Sequence, residues 1–341
     1  MKKLSTILLC LVLIASTLGV VTACTPSHTC QSVCPTCNGC TNEACLEEAC
    51  STKCSCIPHQ CQTTCYYCGK CANVGCTQQA CAEKCQCAPV QVEHTQWDIL
   101  VGKASQTTVH QFVTNKEGPA VVIVGGTHGD ETAGWNAALQ LVDPSNASYI
   151  GNMPGVCGQI LVIPQANKLS NLAVKRTADG YTDLNRAFPT DRYSTANAKT
   201  IEIANAIVQT IAEFNIDYNV QYFVDLHEAQ TSYTQVNMET GKMSVGDTII
   251  FTNVPYKMNK ILRQYNKTYL MEGEPVFSSN PANQKGSFSY HYTNTYPDRV
   301  VFTIETNRER VNGVDTIPLE KRVRQQINML NAMFDYAWGR M

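Results

Sequence analysis

The segment Gly125-Gly126-Thr127-His128-Gly129-Asp130-Glu131 follows directly on the apolar run Ala120 to Val124. An imidazole and a carboxylate three residues apart at the entry to a helix share a face and can reach one ion. A second run, Tyr222 to Leu226, ends in His227. Two histidines and one glutamate are a set with which zinc hydrolases hold their ion, leaving the fourth position to water. The H-x-x-E step alone is weak, since a chain with 7 histidines produces one by composition in roughly one case in three. Its weight comes from what accompanies it.

Glu305 closes the apolar run Val301-Phe302-Thr303-Ile304, where it suits a general base beside a metal. The competing reading is a strand-end glutamate paired with Arg308 or Arg310. Between the two histidine segments lies Lys175-Arg176, then Asp183-Leu184-Asn185-Arg186-Ala187-Phe188-Pro189. The amide of Asn185 and the guanidinium fork of Arg186 together fit a substrate carboxylate, and Arg176 could place positive charge where an oxyanion develops. Asp225 shares a strand face with His227 and could orient it from behind.

Short, mostly β-branched runs at Ala120 to Val124, Gln159 to Ile163, Gln221 to Leu226, Thr248 to Phe251 and Val300 to Ile304 predict strands. Helical patterns fall at Glu131 to Val142, Ala196 to Phe214, Tyr256 to Met271 and Leu319 to Trp338. Such alternation predicts an α/β fold, a mostly parallel twisted sheet flanked by helices. Ligands in open sheets of this kind bind beyond the carboxyl ends of the strands. Three expected strand ends carry His128 with Glu131, His227 and Glu305.

The amino-terminal third reads differently. Lys2 and Lys3 precede an apolar stretch, Leu4 to Val21, that ends in Val21-Thr22-Ala23-Cys24. This predicts an export signal over 1–23 of lipoprotein type, with Cys24 as a lipidated membrane anchor, or else plain secretion. Of the 19 cysteines, 16 lie between Cys30 and Cys87 and repeat with a period of 31, from Cys30-Cys34-Cys37-Cys40-Cys45-Cys50-Cys54-Cys56 to Cys61-Cys65-Cys68-Cys71-Cys76-Cys81-Cys85-Cys87. Each unit is too poor in apolar residues to fold by burial, so disulfides or bound soft metal must hold it. Export favours disulfides, whose pairing the sequence leaves open. The spacing resembles short cysteine-rich modules of anaerobic Firmicutes surface proteins. The expected organisation is therefore a signal (1–23), tandem cysteine-rich repeats (24–88), a linker (89–96) and a hydrolase domain (97–341). A formal charge of −2, without a basic stripe among aromatics, gives no case for nucleic acid.

The order G-G-x-H-G-x-E, D-L-N-R-x-F-P, D-L-H resembles the succinylglutamate desuccinylase/aspartoacylase family, a branch of the carboxypeptidase A-like zinc hydrolases. The resemblance implies one catalytic Zn²⁺ on His128, Glu131 and His227, Glu305 as base, Arg176 at the oxyanion, and Asn185 and Arg186 at the substrate carboxylate. The segment Gly286 to Tyr292 is similar in placement to a tyrosine-bearing substrate loop of carboxypeptidases, which suggests Tyr290. The spacing of 99 from His128 to His227 is similar to the deacylases, whereas the 78 from His227 to Glu305 is nearer the carboxypeptidases. The expected substrate is thus an acyl amino acid or a peptide, including one from a cell wall. A non-enzymatic alternative is a catalytically inactive surface lipoprotein that binds metal.

Overall fold

The computed structural model describes residue 70 and residues 90–189, 195–237, 241–281 and 284–340. The chain divides into a unit Met1–Cys87 and a unit Ala88–Met341. The signal, Cys24 and the paired cysteine repeats lie outside the described residues. In the second unit the strands are β1 (Val92–Ile99), β2 (Thr107–Thr114), β3 (Ala120–Gly125), β4 (Gln159–Ile163), β5 (Val220–Ala229), β6 (Thr248–Ile250), β7 (Ser278–Asn280), β8 (Val300–Asn307), and the short pair β9 (Arg310–Val311) and β10 (Val314–Asp315). The helices are α1 (Thr132–Val142), α2 (Lys168–Ala173), α3 (Ala198–Tyr218), α4 (Pro255–Gln264, continued by a π-helical turn Tyr265–Tyr269), α5 (Phe288–Thr295) and α6 (Leu319–Ala337).

Eight strands form one sheet in the order β1-β2-β4-β3-β5-β8-β6-β7. The central β4, β3, β5 and β8 are parallel, as their continuous apolar composition demands, because such strands are covered on both faces. Antiparallel pairing at β1/β2, β2/β4 and β6/β8 makes the sheet mixed towards its edges. β1 begins at Val92, inside the span read as linker, and it is mostly exposed.

Side chains alternate across this sheet with a period of two. Val121 and Ile123 of β3, Val224 of β5 and Ile304 of β8 face one core with Ala137 and Leu141 of α1 and Met329, Leu330 and Met333 of α6. Val122 and Val124, Phe223 and Val301 face the other core with Ile203, Ile207 and Ile211 of α3 and Phe288 of α5. The alternation puts Asp225, His227, Thr303 and Glu305 on the α3/α5 face, at the carboxyl ends of their strands. Their even-numbered neighbours, Glu228 and Thr306, point to the α1/α6 face. A one-residue slip in β5 or β8 would exchange these sets.

Candidate active site

The turn from β3 into α1 carries the first two ligand candidates. Gly126 takes φ +74°, a conformation L side chains rarely adopt, and a Cβ on Gly129 would lie 1.8 Å from the Ser170 carbonyl oxygen. Glycine is therefore required for this turn to lie against α2. The turn delivers His128 and, as the residue preceding α1, Glu131. β5 runs on past Leu226 to Ala229 because it remains paired with β8, so His227 sits within a strand with Glu305 as its direct partner.

His128, Glu131 and His227 are all buried and their ligand atoms lie within 4.8 Å of one another. Nδ1 of His128 is 2.7 Å from Glu131 Oε1, and Nδ1 of His227 is 2.7 Å from Glu131 Oε2. The opposite nitrogens are also held. Nε2 of His128 is 2.9 Å from Asp183 Oδ1 and Nε2 of His227 is 2.8 Å from Asp225 Oδ2. Asp225 is fixed in turn by the Thr127 hydroxyl, which donates to Oδ1 at 3.0 Å. A carboxylate that accepts from Nε2–H leaves Nδ1, here beside Glu131, as the ring nitrogen that could bind a metal ion. This is the arrangement in which outer carboxylates set the tautomer of metal-binding histidines. The donor set fits a zinc ion, two imidazoles and one carboxylate with further positions open.

Electrostatics agree with a cation at that point. Burial would lower His227, but Asp225 and Glu131 outweigh it and hold its affinity for a proton well above the ordinary value. Burial likewise opposes His128, which Glu131 and Asp183 nevertheless raise. Burial would raise Glu131, and the two imidazoles beside it hold it well below the usual carboxylate range. Three carboxylates around two imidazoles thus draw in positive charge, whether proton or metal.

Glu305 is buried, and burial pushes its carboxyl up to about 8, with His227 opposing the shift and Glu131 adding to it. Neither arginine considered as its partner binds it. Arg308 pairs with Asp130 at 3.2 Å and Arg310 with Asp315 at 3.7 Å. A carboxyl group poised near neutrality beside a metal position is suited to accept and return a proton.

Arg176 donates to Glu131 Oε1 at 3.1 Å and to Asp183 Oδ2 at 3.0 Å. Arg186 donates to the Asn185 carbonyl and to Gln284 Oε1, each at 2.6 Å. The Asn185 side chain accepts from the Phe288 N–H at 3.0 Å, tying the Leu184–Arg186 turn to α5. His128, Glu131, His227, Glu305, Arg176, Asn185 and Arg186 all line one cleft of about 1000 Å³. Tyr290 lies on α5, where its N–H bonds the Ser287 hydroxyl, and it is not among the residues lining that cleft. The segment expected to form a substrate loop is helical from Phe288 on, capped by Ser287.

Asp183, Glu228 and Arg322 also hold the site together. Asp183 stands in the D-L-N-R run close to Arg186, but its histidine partner is 55 residues away.

An α/β fold thus carries a His-Glu-His set that could hold a metal ion, with a neighbouring buried carboxyl, at the carboxyl edge of a parallel sheet centre. Residues 117–246 match the family model of the succinylglutamate desuccinylase/aspartoacylase catalytic domain, and over that segment the family resemblance is borne out. The match includes His128, Glu131, Arg176, Asn185, Arg186 and His227, and ends before Glu305. A comparison with curated proteins finds no match. Among solved structures, the chain is similar to the cell shape determinant protein Csd4 of Helicobacter pylori (Gln46His variant), at 19% identity over 64% of this chain and 51% of that one, TM-score 0.47. It is also similar to an aspartoacylase family protein of Mesorhizobium loti, at 21% identity over 70% and 67%, TM-score 0.44. A succinylglutamate desuccinylase of Silicibacter sp. TM1040 shows 16% identity over 72% and 67%, TM-score 0.47. The match thus spans about half the length of the Helicobacter pylori protein.

Proposed function

We propose that this chain is an exported zinc metallohydrolase that cleaves an amide bond adjacent to a free carboxylate, acting as a deacylase of the succinylglutamate desuccinylase/aspartoacylase type. The observation that carries the reading is the convergence of two Nδ1 atoms on the two oxygens of Glu131, with Glu305 directly across the strand pair from His227. Zinc held by His128, Glu131 and His227 would supply carbonyl polarisation and a water of lowered pKa. Glu305 takes a proton from the attacking water and delivers it to the leaving amine nitrogen. Arg176 stabilises the oxyanion, and Asn185 and Arg186 fix the substrate carboxylate. Asp183 and Asp225, each facing an Nε2, favour the tautomer in which Nδ1 could bind the metal.

A second reading is a carboxypeptidase acting on peptides, including cell-wall peptides. The cleft of about 1000 Å³ favours it, being at the upper end of pockets that enclose small ligands. In either case the chain would be exported and held at the membrane by lipid on Cys24, or secreted. A zinc-loaded preparation assayed on N-acyl amino acids and on peptides with free C-termini separates the two. Turnover of the first class alone supports the deacylase. Turnover of neither class overturns the enzymatic reading in favour of an inactive metal-binding surface protein.

A further inference from the structure

Behind the metal constellation, on the α1/α6 face of the sheet, lies a second set of buried polar groups. Glu131 precedes α1 without a side-chain cap hydrogen bond of its own, at φ −91° and ψ 71°. The exposed N–H groups at that helix start need acceptors, and burial makes an unmet one costly. The acceptor comes from β5. Oε2 of Glu228 receives the Ala133 N–H at 2.8 Å, while the backbone N–H of Glu228 donates to Glu131 Oε2 at 3.0 Å. Glu228 thus grips the ligand helix twice, once through its side chain and once through its main chain.

Glu228 is itself fixed from α6. Arg322 Nη1 lies 2.5 Å from Oε1, and Arg322 also reaches Asp315 at 3.3 Å and the Ile317 carbonyl at 3.0 Å. One turn further along, Gln326 donates to the His227 carbonyl at 2.7 Å and to the Thr306 hydroxyl at 3.1 Å. Glu228, Arg322 and Gln326 are all at most 3% exposed. A carboxylate this deeply buried is tolerated through its pairing and hydrogen bonds.

We infer that Glu228 is a positioning residue for the metal site: by capping α1 across the sheet it sets the place of Glu131 relative to His227. The inference rests on the zinc reading proposed above, but on no particular substrate. It distinguishes reach from charge. Glu228→Gln retains an acceptor oxygen of the same reach and loses the charge. Glu228→Asp retains the charge near Arg322 but, one methylene shorter, withdraws from the Ala133 N–H.

The test uses the full chain with Co²⁺ and Zn²⁺, and His128→Ala as the blank for metal held elsewhere, including by the cysteines. Competition with a chelator gives affinity, the cobalt ligand-field spectrum gives geometry, and thermal unfolding is followed in parallel. Glu228→Asp is expected to weaken zinc by roughly 10-fold or more and alter the cobalt spectrum, because the start of α1 that carries Glu131 shifts and outer contacts of a metal site act on that scale. Glu228→Gln is expected to keep most of the wild-type affinity and the wild-type spectrum. If Glu228→Asp binds as tightly as wild type with an unchanged spectrum, or if Glu228→Gln is the weaker of the two, the inference is overturned. A purely structural role would lower the unfolding temperature of both variants and leave the affinity and spectrum alone. A wild type that binds no more metal than His128→Ala overturns the zinc reading and this inference with it.

Discussion

Asp225 is the residue at which outer-shell control of the metal site can be measured. It is fully buried, accepts from the Thr127 hydroxyl through Oδ1 at 3.0 Å and faces His227 Nε2 through Oδ2 at 2.8 Å. In Asp225→Ala both partners lose their acceptor in a buried setting. Each orphaned group costs about 1–3 kcal/mol, so stability falls by roughly 2–6 kcal/mol, a large part of a domain's total. Asp225→Asn is the sharper perturbation because shape is kept. If the amide nitrogen faces the ring, His227 must accept at Nε2 and carry its proton on Nδ1, the atom aimed at the metal position. If the amide oxygen faces the ring, the tautomer survives and the negative charge is lost. Both outcomes weaken the ligand, by roughly 10- to 100-fold in zinc affinity, equivalent to about 1.4–2.8 kcal/mol. Chelator competition measures the affinity, and denaturant unfolding of the metal-free protein measures stability. Wild-type zinc affinity in folded Asp225→Asn would mean that Asp225 does not tune His227 as a ligand.

Glu305→Gln should lower kcat by about 10²- to 10⁴-fold while zinc stays bound, the mark of a base rather than a ligand; activity and metal content are measured on one preparation. Arg186→Ala should reduce kcat/KM by about 10- to 100-fold on a substrate with a free carboxylate, and far less on the corresponding amide. His110 is held down to about 4 from an ordinary 6.5, by burial first and by neighbouring His94 second. The unfolded chain therefore takes up a proton that the folded one refuses. His110's contribution is complete above pH 6.5 and is lost as pH falls towards 4. Urea unfolding across that range should show a steeper acid loss in wild type than in His110→Gln, and equal slopes would contradict it.

The central elements were legible because their chemistry is local. The β-branched runs Ala120 to Val124 and Gln159 to Ile163 admit little but buried strands, and β4 occupies the expected span. His128 and Glu131 were legible from their spacing and from the glycines that the turn requires. His227 and Glu305 were legible as polar ends of apolar runs, although β5 and β8 extend further because they pair with each other. β1 leaves little signal in the sequence because Val92 to Ile99 is polar and lies mostly exposed at the sheet edge. α5 leaves little helical signal because its aromatic and β-branched residues are poor helix formers, and packing of Phe288 and Tyr292 decides its form. Asp183, Glu228 and Arg322 meet partners 55 to 95 residues distant. Spacing in the chain carries no trace of such contacts, which arise where loops and helices pack against the ends of the strands.

Zinc stoichiometry, measured on this chain and on His128→Ala, decides whether His128, Glu131 and His227 hold a metal ion. Metal on the cysteines contributes equally to both proteins and cancels in the difference. The proposed site requires wild type to exceed the variant by one zinc per chain. Equal zinc in the two proteins would contradict it.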